Sequence, residues 1–305
     1  MDDISFTVEQ GELFGFLGIN GAGKSTTINM LCTLFTPTAG EINICGCRLG
    51  KEDEKIRESI GVVWQGNCLD EQLTVKENLY VRGSLYGYTG AGLKENIDRV
   101  CERLQLEDIY NRQYGKLSGG QKRRCELGAA LANTPKVLFL DEPTTGLDPA
   151  TRRLVWEGLD KLRKEDGMTV FLTTHYMEEA AKAGHIAIID SGKIREFGTP
   201  FELKERCARD KLRLWPKPDG FQQVQSVLED EIRRWESRWD NRTDSAGRII
   251  QEQDVIFVTL RGSMDAMPVL KRLEGCIVGF ELVQGSMDDV FLNVTGKSLA
   301  EMDRA

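Results

Sequence analysis

The residues best suited to chemistry in this sequence form a glycine-rich loop near its start. The segment fits the pattern G-x-x-x-x-G-K-[ST], with an apolar run before it and a helical pattern after it, which is the context that a phosphate-binding loop requires. Its residues are Gly18, Ile19, Asn20, Gly21, Ala22, Gly23, Lys24, Ser25 and Thr26. Glycines let backbone N–H groups turn toward a β-phosphate, Lys24 adds a positive charge for the β- and γ-phosphates, and Ser25 offers a hydroxyl ligand to Mg²⁺.

Two adjacent acids, Asp141 and Glu142, follow an apolar run at residues 137–140. A buried strand that ends there would place both carboxylates at the carboxyl edge of a sheet, where α/β folds bind ligands. Asp141 would then hold Mg²⁺ through water, and Glu142 could polarise an attacking water molecule. A pair of acids on a solvated turn is the simpler interpretation, but the apolar run and the phosphate loop argue against it.

Gln65 and His175 each follow another apolar run, at 60–64 and 169–173. The amide of Gln65 can reach the metal or the water from one side, and His175 is placed to hydrogen-bond a γ-phosphate and the attacking water. Taken alone, the glutamine would be a solvent-facing strand end and the histidine a structural residue. The neighbouring motifs favour catalytic roles for both, whereas His185 lacks that context and is assigned to packing or the surface.

A second glycine-rich helix start occurs about a hundred residues later in the chain. Its residues are Leu117, Ser118, Gly119, Gly120 and Gln121. A serine N-cap followed by glycines and a helical pattern is typical of an anion-binding helix terminus. Docking of Ser118 on a nucleotide held by Lys24 of the same chain is the simplest reason for having two such termini. A resemblance to a known family offers another reason.

Short apolar runs alternate with helical patterns over roughly the first 200 residues. They predict strands at 4–8, 13–17, 60–65, 137–141, 169–173 and 186–190, and helices at 25–34, 119–132 and 151–164. This alternation predicts an α/β fold whose parallel sheet is covered on both faces.

The pattern changes around Gly198–Pro200. Strands are predicted at 211–215, 254–260 and 276–283, with amphipathic helices between them. One helical face is made by Phe221, Val224, Leu228 and Ile232. The polar segment 233–253, which contains Trp235 and Trp239, is predicted as a loop. The C-terminal part is therefore expected to be a small α+β accessory domain.

Composition excludes several classes of protein. The 305 residues carry a formal net charge of -8, which argues against a sequence-independent nucleic-acid binder, so no nucleic-acid partner is expected. No apolar run approaches the roughly 18–20 residues that cross a bilayer, and the acidic, alternating N-terminus does not fit a signal peptide. The cysteines are scattered, and the Cys45–Cys47 pair has no partner ligands at zinc-like spacing, so neither zinc nor disulfides are expected.

Six motifs of the chain have the order and spacing found in the ABC ATPases. They are the glycine loop, Gln65, LSGGQ, VLFLDEP, GLDP at 146–149 and His175. LSGGQ is the most specific of these motifs, and the chain resembles the family over residues 1 to about 200. The resemblance implies a P-loop NTPase fold of ABC type, with a mixed, mainly parallel sheet and a helical subdomain at about 66–132. It implies a nucleotide-binding domain at 1–205 and leaves 206–305 as the accessory domain.

The resemblance also explains the two glycine-rich helix starts. In this family, chains pair head to tail, and each ATP lies between the phosphate loop of one chain and the signature helix of the other. Ser118, Gly119 and Gly120 would then touch the partner's γ-phosphate, and Asp148 would belong to a loop that crosses between the two sites. Because every catalytic position is intact, hydrolysis of ATP with Mg²⁺ is expected.

Three kinds of ABC protein were compared with the sequence. A DNA-repair or chromosome-organising ATPase would carry a long coiled coil after Gln65, and a translation factor would carry two cassettes. One compact cassette instead favours the motor subunit of a transporter. This subunit would form a homodimer or pair with a related subunit, and its helical subdomain would dock on a separately encoded permease. It would lie in the cytoplasm, peripheral to the inner face of the cell membrane. An ABC ATPase that regulates or remodels a partner without transport is the alternative.

The C-terminal segment SMDDVFLNVTGKSL, at 286–299, narrows the branch. It resembles the terminal motif of daunorubicin-resistance-type ATPase subunits, which power the export of drugs, lipids or polysaccharides. The same letters also predict a capped helix start, with Ser286 as N-cap and Asp289 at the third helical position. Both interpretations can hold.

The sequence departs from the family pattern at three places. Ile19 replaces a common loop proline, and its side chain is expected to face away from the phosphates. Gly184-His185 stands where an Asp-Arg pair is common, so a local ion pair is expected to be lost. The family carries an adenine-stacking aromatic residue on a strand ahead of SFTVEQGE, and Phe6 is better assigned to the core because it alternates with apolar neighbours. We hypothesise that the adenine platform is missing, through a mis-assigned start or real truncation, and that nucleotide affinity is reduced.

Overall fold

The structure, a computed structural model, describes residues 1–236, 249–252, 254–260 and 262–296. These residues form two compact units, the first comprising Met1–Pro200 and the second beginning at Phe201. The boundary predicted at residue 205 lies within the helix that spans this division, Pro200–Cys207. Within the described part of the chain, no helix combines the length and apolar character that crossing a membrane requires.

The first unit is built on one large sheet and a small hairpin. Its strands are β1 (Leu13–Leu17), β2 (Asn43–Ile44), β3 (Cys47–Arg48), β4 (Ile60–Val63), β5 (Val137–Asp141), β6 (Thr169–Thr174), β7 (His185–Asp190) and β8 (Lys193–Gly198). The large sheet has the order β4-β5-β6-β1-β7-β8, and β2 pairs only with β3. All neighbours in the large sheet are parallel except β7 and β8. The predicted mixed, mainly parallel sheet is confirmed.

The central strands are buried over their whole length. Every residue of β1 (LFGFL) and β6 (TVFLTT) is buried. A strand without polar alternation fits the interior of a sheet that is covered on both faces. The carboxyl ends of β1, β4, β5 and β6 therefore meet at one edge, and the chain leaves each of them into a segment singled out from the sequence.

Seven helices of the first unit precede the division between the units. They are α1 (Lys24–Leu31), α2 (Asp53–Ser59), α3 (Val75–Leu85), α4 (Gly90–Leu104), α5 (Gly119–Leu131), α6 (Pro149–Asp166) and α7 (Met177–Ala180). α3, α4 and α5 pack on one another, and α5 also packs on β4. A Cβ placed on Gly61 of β4 would overlap the carbonyl group of Ala130 in α5, so strand and helix touch backbone to backbone there.

One strand predicted in the first unit is absent, and the strands β2, β3 and β8 were not predicted. The strand at 4–8 is wrong: Ile4, Phe6 and Val8 are half-buried and alternate with exposed neighbours, but no described strand pairs with them. Alternation shows that one side of a segment is buried, whereas a strand also needs a hydrogen-bonding neighbour. β8 was missed because charged residues interrupt its apolar positions. Its sequence signal was Ser191-Gly192, a two-residue turn with φ of 52° and 76° that joins it to β7.

The second unit is a four-stranded antiparallel sheet with helices. Its strands are β9 (Lys211–Pro216), β10 (Ile249–Glu252), β11 (Val255–Thr259) and β12 (Ile277–Val283), in the order β10-β11-β9-β12. Its helices are α8 (Pro200–Cys207), α9 (Phe221–Glu236), α10 (Ala266–Leu273) and α11 (Met287–Thr295). Val224 and Leu228 of α9 are buried against Leu212 and Leu214 of β9. The small α+β fold predicted for the C-terminal part is confirmed.

The loop predicted at 233–253 is partly wrong. α9 continues to Glu236, because the buried Trp235 extends its apolar face, and β10 occupies the other end of the segment. Residues 237–248 and 253, including Trp239, lie outside the described residues. The predicted cap of α11 is present, since the Ser286 hydroxyl accepts from the Asp289 amide at 3.1 Å and the Asp289 carboxylate accepts from the Ser286 amide at 3.0 Å.

Candidate active site

The glycine loop leaves β1 and wraps the start of α1. Gly23 caps α1 with φ of 112°, a left-handed conformation that side-chain-bearing residues rarely adopt, and Gly21 has φ of 78°. A Cβ on Gly18 would lie 2.7 Å from the carbonyl oxygen of Ile189, so the loop also needs glycine where it leaves the sheet. Ile19 packs against the apolar core of the first unit, as predicted for a side chain that faces away from the phosphates.

Lys24 is held inside the loop it belongs to. Its side chain is 5% exposed, and its ammonium group donates to the carbonyl oxygens of Gly18 at 2.9 Å and Ile19 at 3.2 Å. The Lys24 Nζ atom also lies 3.2 Å from Oε1 of Glu142, which follows β5. The loop's positive charge and the proposed water-polarising carboxylate thus face one another.

Glu142 is the centre of the cluster. Its backbone is left-handed, with φ of 48°, and its amide donates to the Thr173 carbonyl at 3.1 Å. The Oε2 atom accepts from Nε2 of Gln65 at 3.4 Å and lies 3.3 Å from Nδ1 of His175. The structure therefore brings Lys24, Gln65, Glu142 and His175 together at the edge where β1, β4, β5 and β6 end.

The charge state of Glu142 follows from these contacts. Proximity of His175 lowers the pKa of the Glu142 carboxyl to about 2, burial opposes this shift, and Lys24 adds to it. The 3.3 Å approach of His175 Nδ1 is not aligned as a hydrogen bond, and this buried nitrogen has no hydrogen-bond partner among the residues that the structure describes. A carboxylate that is ionised at neutral pH can orient water, and an imidazole ring beside it can hydrogen-bond a substrate oxygen.

Oxygen donors suited to a hard cation lie beside this cluster. The Ser25 hydroxyl donates to Oδ2 of Asp141 at 3.3 Å, and the Thr173 hydroxyl donates to Oδ1 of Asp141 at 2.6 Å. A hydroxyl and a carboxylate from two different elements are the ligand types that Mg²⁺ takes in nucleotide sites. The residues present therefore fit the magnesium ion that the sequence motifs imply.

The LSGGQ segment is not part of this cluster. Ser118 is exposed, and its hydroxyl accepts from the Gln121 amide at 3.3 Å while Gln121 Oε1 accepts from the Ser118 amide at 3.1 Å, a capping box at the start of α5. Leu117 is buried, and a Cβ on Gly119 would meet nothing within 4 Å. The first turn of α5 is thus an open helix terminus with free space in front of Gly119.

Asp148 lies beside that helix start. Its carboxylate caps α6 by accepting from the amides of Ala150 and Thr151, each at 3.0 Å, and from the Thr151 hydroxyl at 2.6 Å. A Cβ on Gly120 would lie 2.6 Å from Cγ2 of the same Thr151. The signature helix and the first turn of α6, which Asp148 caps, therefore pack directly on each other within one chain, a contact that sequence reasoning did not anticipate.

Sequence reasoning also missed buried polar residues that support the site. Arg123 and Glu126 of α5 are 8% and 6% exposed and bond to loops around Gln65 and Glu142. The signal was present, because two opposite charges spaced by three share the helix face that also bears apolar residues. Glu179 is 2% exposed and accepts from the hydroxyls of Thr144 and Thr174, joining the segments after β5 and β6.

Two other residues weighed from the sequence lie outside the cluster. The ring of Phe6 packs with Phe14 and Phe16, with centroids 5.5 and 5.7 Å away, which confirms its assignment to the core. The Nδ1 atom of His185 lies 2.5 Å from Oε1 of Glu12, and its ring stacks on Phe197. His185 therefore packs within the first unit, as assigned, and its polar contact is with Glu12.

Known proteins resemble this chain in sequence and in fold. The ABC transporter family matches residues 1–145. The chain is 36% identical over 303 residues to the Nod factor export ATP-binding protein I of Burkholderia pseudomallei, covering 99% of this chain and 93% of that protein. It is 37% identical over 298 residues to the daunorubicin/doxorubicin resistance ATP-binding protein DrrA of Streptomyces peucetius, covering 97% and 88%.

Solved structures agree in fold. A dimeric post-hydrolysis structure of the ATP-binding cassette MJ0796, bound to ADP and Pi, matches with a TM-score of 0.58 and 31% identity, covering 64% of this chain and 88% of that one. The ATP-binding subunit of another ABC transporter matches with a TM-score of 0.61 and 29% identity, covering 67% and 85%. With the site geometry and the near full-length relatives, these matches show that the chain belongs to the ATP-hydrolysing, ATP-binding subunits of ABC transporters.

Proposed function

We propose that this subunit drives an exporter of the drug, lipid or polysaccharide type, working as a head-to-tail dimer on a separately encoded permease. The similarity to Nod factor export and drug resistance proteins over nearly the whole chain supports export and this range of cargo. The subunit would act in the cytoplasm, at the inner face of the membrane.

The observation that carries the proposal is the division of the site between two surfaces. Lys24, Gln65, Glu142 and His175 converge, while Ser118 caps its own helix and makes no side-chain contact with any of them in the described part of the chain. The open terminus of α5, with its partial positive charge, is free to take the phosphate held by another copy. Two copies related by a two-fold axis would complete both sites in the same way.

Within each site the residues have distinct roles. Lys24 and the loop amides bind the β- and γ-phosphates, and Glu142 accepts a hydrogen bond from the attacking water and orients it. His175 donates to the γ-phosphate, and Gln65 steadies the Glu142 carboxylate. Ser25, Asp141 and Gln65 would hold Mg²⁺, which neutralises phosphate charge when it is bound.

A groove next to Gln65 is suited to the permease. It has a volume of about 620 Å³ and is lined by Leu34, Trp64, Arg82, Leu85 and Tyr86, among others. Leu34 and Leu85 are 60% and 73% exposed, which is high for large apolar side chains. We infer that a short helix from a cytoplasmic loop of the permease docks here, where it would contact the segment that carries Gln65.

Complementation between two inactive variants tests the shared site. Ser118→Arg spoils the signature helix and Lys24→Ala spoils the phosphate loop, so each homodimer should be inactive. Mixed in equal amounts, they form a heterodimer with one intact composite site, and about a quarter of the wild-type phosphate release is expected for random pairing.

Ser118→Arg mixed with Ser118→Arg/Lys24→Ala is the matched control, because that pair contains no intact composite site. Absence of recovery in the test mixture, with heterodimers demonstrated by tag pull-down, would count against the head-to-tail arrangement. Export is tested separately by reconstitution with the permease in vesicles, where ATP-driven transport into the vesicle lumen from the subunit's side is expected and movement in the opposite direction contradicts it.

A further inference from the structure

Arg123 is a buried arginine whose described partners are all backbone carbonyl groups. It lies on α5, five residues after Ser118. Its Nε donates to the Pro143 carbonyl at 2.6 Å, and its Nη2 donates to those of Asp141 and Glu142 at 3.2 Å each. Its Nη1 donates to the carbonyl of Trp64. The planar fork of the guanidinium can serve several acceptors at fixed angles, which an ammonium cannot do.

Three of these carbonyls belong to the turn that contains Glu142. The left-handed backbone of Glu142, with φ of 48°, is unfavourable for a residue that has a Cβ and persists only where surrounding contacts enforce it. Arg123 bonds to the carbonyl of Glu142 and to those on either side of it. The arginine therefore stabilises the turn that directs the Glu142 carboxylate toward Lys24.

The fourth carbonyl belongs to the residue just before Gln65. Farther along the same loop, Oε1 of Glu126 accepts from the amides of Cys68 at 2.8 Å and Leu69 at 3.1 Å. The same atom accepts from the Tyr114 hydroxyl at 2.7 Å. Arg123 and Glu126, on one face of α5, thus fasten the Gln65 loop on both sides of the glutamine.

We propose that Arg123 is a positioning residue for Gln65 and Glu142 of its own chain, although its helix begins at residues that serve the partner's nucleotide. The inference rests on the head-to-tail arrangement proposed above. One helix would then present Ser118 to one ATP and hold the water-orienting residues at the other. Removal of the fork should misplace Glu142 and Gln65 without touching the phosphate-binding loop.

The heterodimer of the Ser118→Arg and Lys24→Ala chains can distinguish positioning of Glu142 and Gln65 from placement of Ser118 and from a general effect on folding. Its intact site uses Glu142 of the Ser118→Arg chain and Ser118 of the Lys24→Ala chain. Arg123→Gln on the Ser118→Arg chain should lower phosphate release by about 100-fold, the cost typical of misplacing a catalytic group by about 1 Å. Arg123→Gln on the Lys24→Ala chain should change it less than threefold.

Other results would overturn the assignment. A loss confined to the Lys24→Ala chain would mean that Arg123 places Ser118 instead, and equal losses would mean a general effect on folding. An inactive parent heterodimer would speak against the head-to-tail proposal itself, and the positioning role is then judged on single variants. In those, Arg123→Gln and Arg123→Lys should each lower kcat by at least tenfold while the Kd for ATP stays within threefold.

Arg124→Gln is the matched control. This neighbouring arginine also donates to carbonyls, those of Leu104 at 3.1 Å and Gln105 at 2.7 Å, but neither belongs to the site. Its kcat should stay within threefold of wild type. If Arg123→Gln does not fold, Arg123→Lys decides, because it keeps the buried charge and loses only the fork. Full activity of Arg123→Lys overturns the proposal.

Discussion

At the scale of single residues, the first unit contains two carboxylate–histidine pairs that lie in different surroundings. Glu142 and His175 are joined by Lys24 and Gln65, whereas Glu12 and His185 are joined by the ring of Phe197. The residue types are the same in both pairs. The first pair converges with a cation and an amide at the end of several strands, which fits the catalytic role proposed for it, whereas the second pair packs against an aromatic ring.

Glu142→Gln is the sharpest single substitution. The amide keeps the shape of the carboxylate but loses the charge that orients water, so phosphate release should fall by about 10²- to 10⁴-fold. ATP binding should persist, and size-exclusion chromatography with ATP should show a stable dimer. Glu12→Gln, the same change in the other pair, should leave the rate within twofold. Normal hydrolysis by Glu142→Gln would remove Glu142 from the role given to it.

Sequence reasoning was strongest at this scale because spacing alone identifies chemistry. The loop around Lys24 and the acids after β5 could be picked out before any contact was known. The left-handed backbone of Glu142 and the buried partners of Arg123 could not, since both depend on segments that are distant in sequence. A glycine in the sequence suggests that the backbone there has a positive φ. A glutamate with a positive φ gives no such indication.

At the scale of elements, the N-termini of three helices carry the segments that the sequence motifs singled out. α1 begins at left-handed Gly23, α5 at a capping box and α6 at Asp148 followed by proline. Strand ends were predicted well where apolar runs were continuous. They were predicted poorly at 4–8 and at β8. In these two segments, strand formation depends on pairing and on turn geometry and not on apolar content.

The contact between α5 and α6 gives a prediction at this scale. Gly120→Ala would place a methyl group 2.6 Å from Cγ2 of Thr151 and should lower the free energy of unfolding by about 1–3 kcal/mol, with a matching loss of hydrolysis. Thr151→Ala in the same chain removes the obstructing atoms and should restore part of the stability. Thermal unfolding of the single and double variants measures this.

Gly119→Ala is the comparison that separates packing from contact with a partner. A methyl group there meets nothing within 4 Å in the same chain, so stability should not fall. If the space in front of Gly119 receives the partner's nucleotide, hydrolysis should fall nonetheless. A drop in stability for Gly119→Ala equal to that for Gly120→Ala would mean that the packing account of α5 is incorrect.

At the scale of the whole molecule, the proposed function assigns two half-sites to each chain. All four residues of the cluster and the open start of α5 belong to the first unit, yet they do not meet within it. The fold class and the order of the motifs were predictable because they depend on local patterns. The separation of Ser118 from Lys24 was not derivable from spacing, because distance along the chain does not fix distance in space.

Shared sites make the rate depend on concentration. Hydrolysis per chain should rise with protein concentration and level off once dimers predominate, and it should do so at lower concentration when ATP is saturating. Phosphate release measured over a dilution series checks this. A rate per chain that is constant from nanomolar to micromolar protein, with the subunit shown to be monomeric at the low end, contradicts two-chain sites.

The backbone contact at Gly61 has a mechanical result. At Gly61 no side chain separates β4 from α5, so at this point the strand that leads to Gln65 cannot shift toward the signature helix without a backbone clash. A displacement of α5 is therefore expected to move β4 and Gln65 with it. A bulkier residue at position 61 would separate the strand from the helix and weaken this coupling.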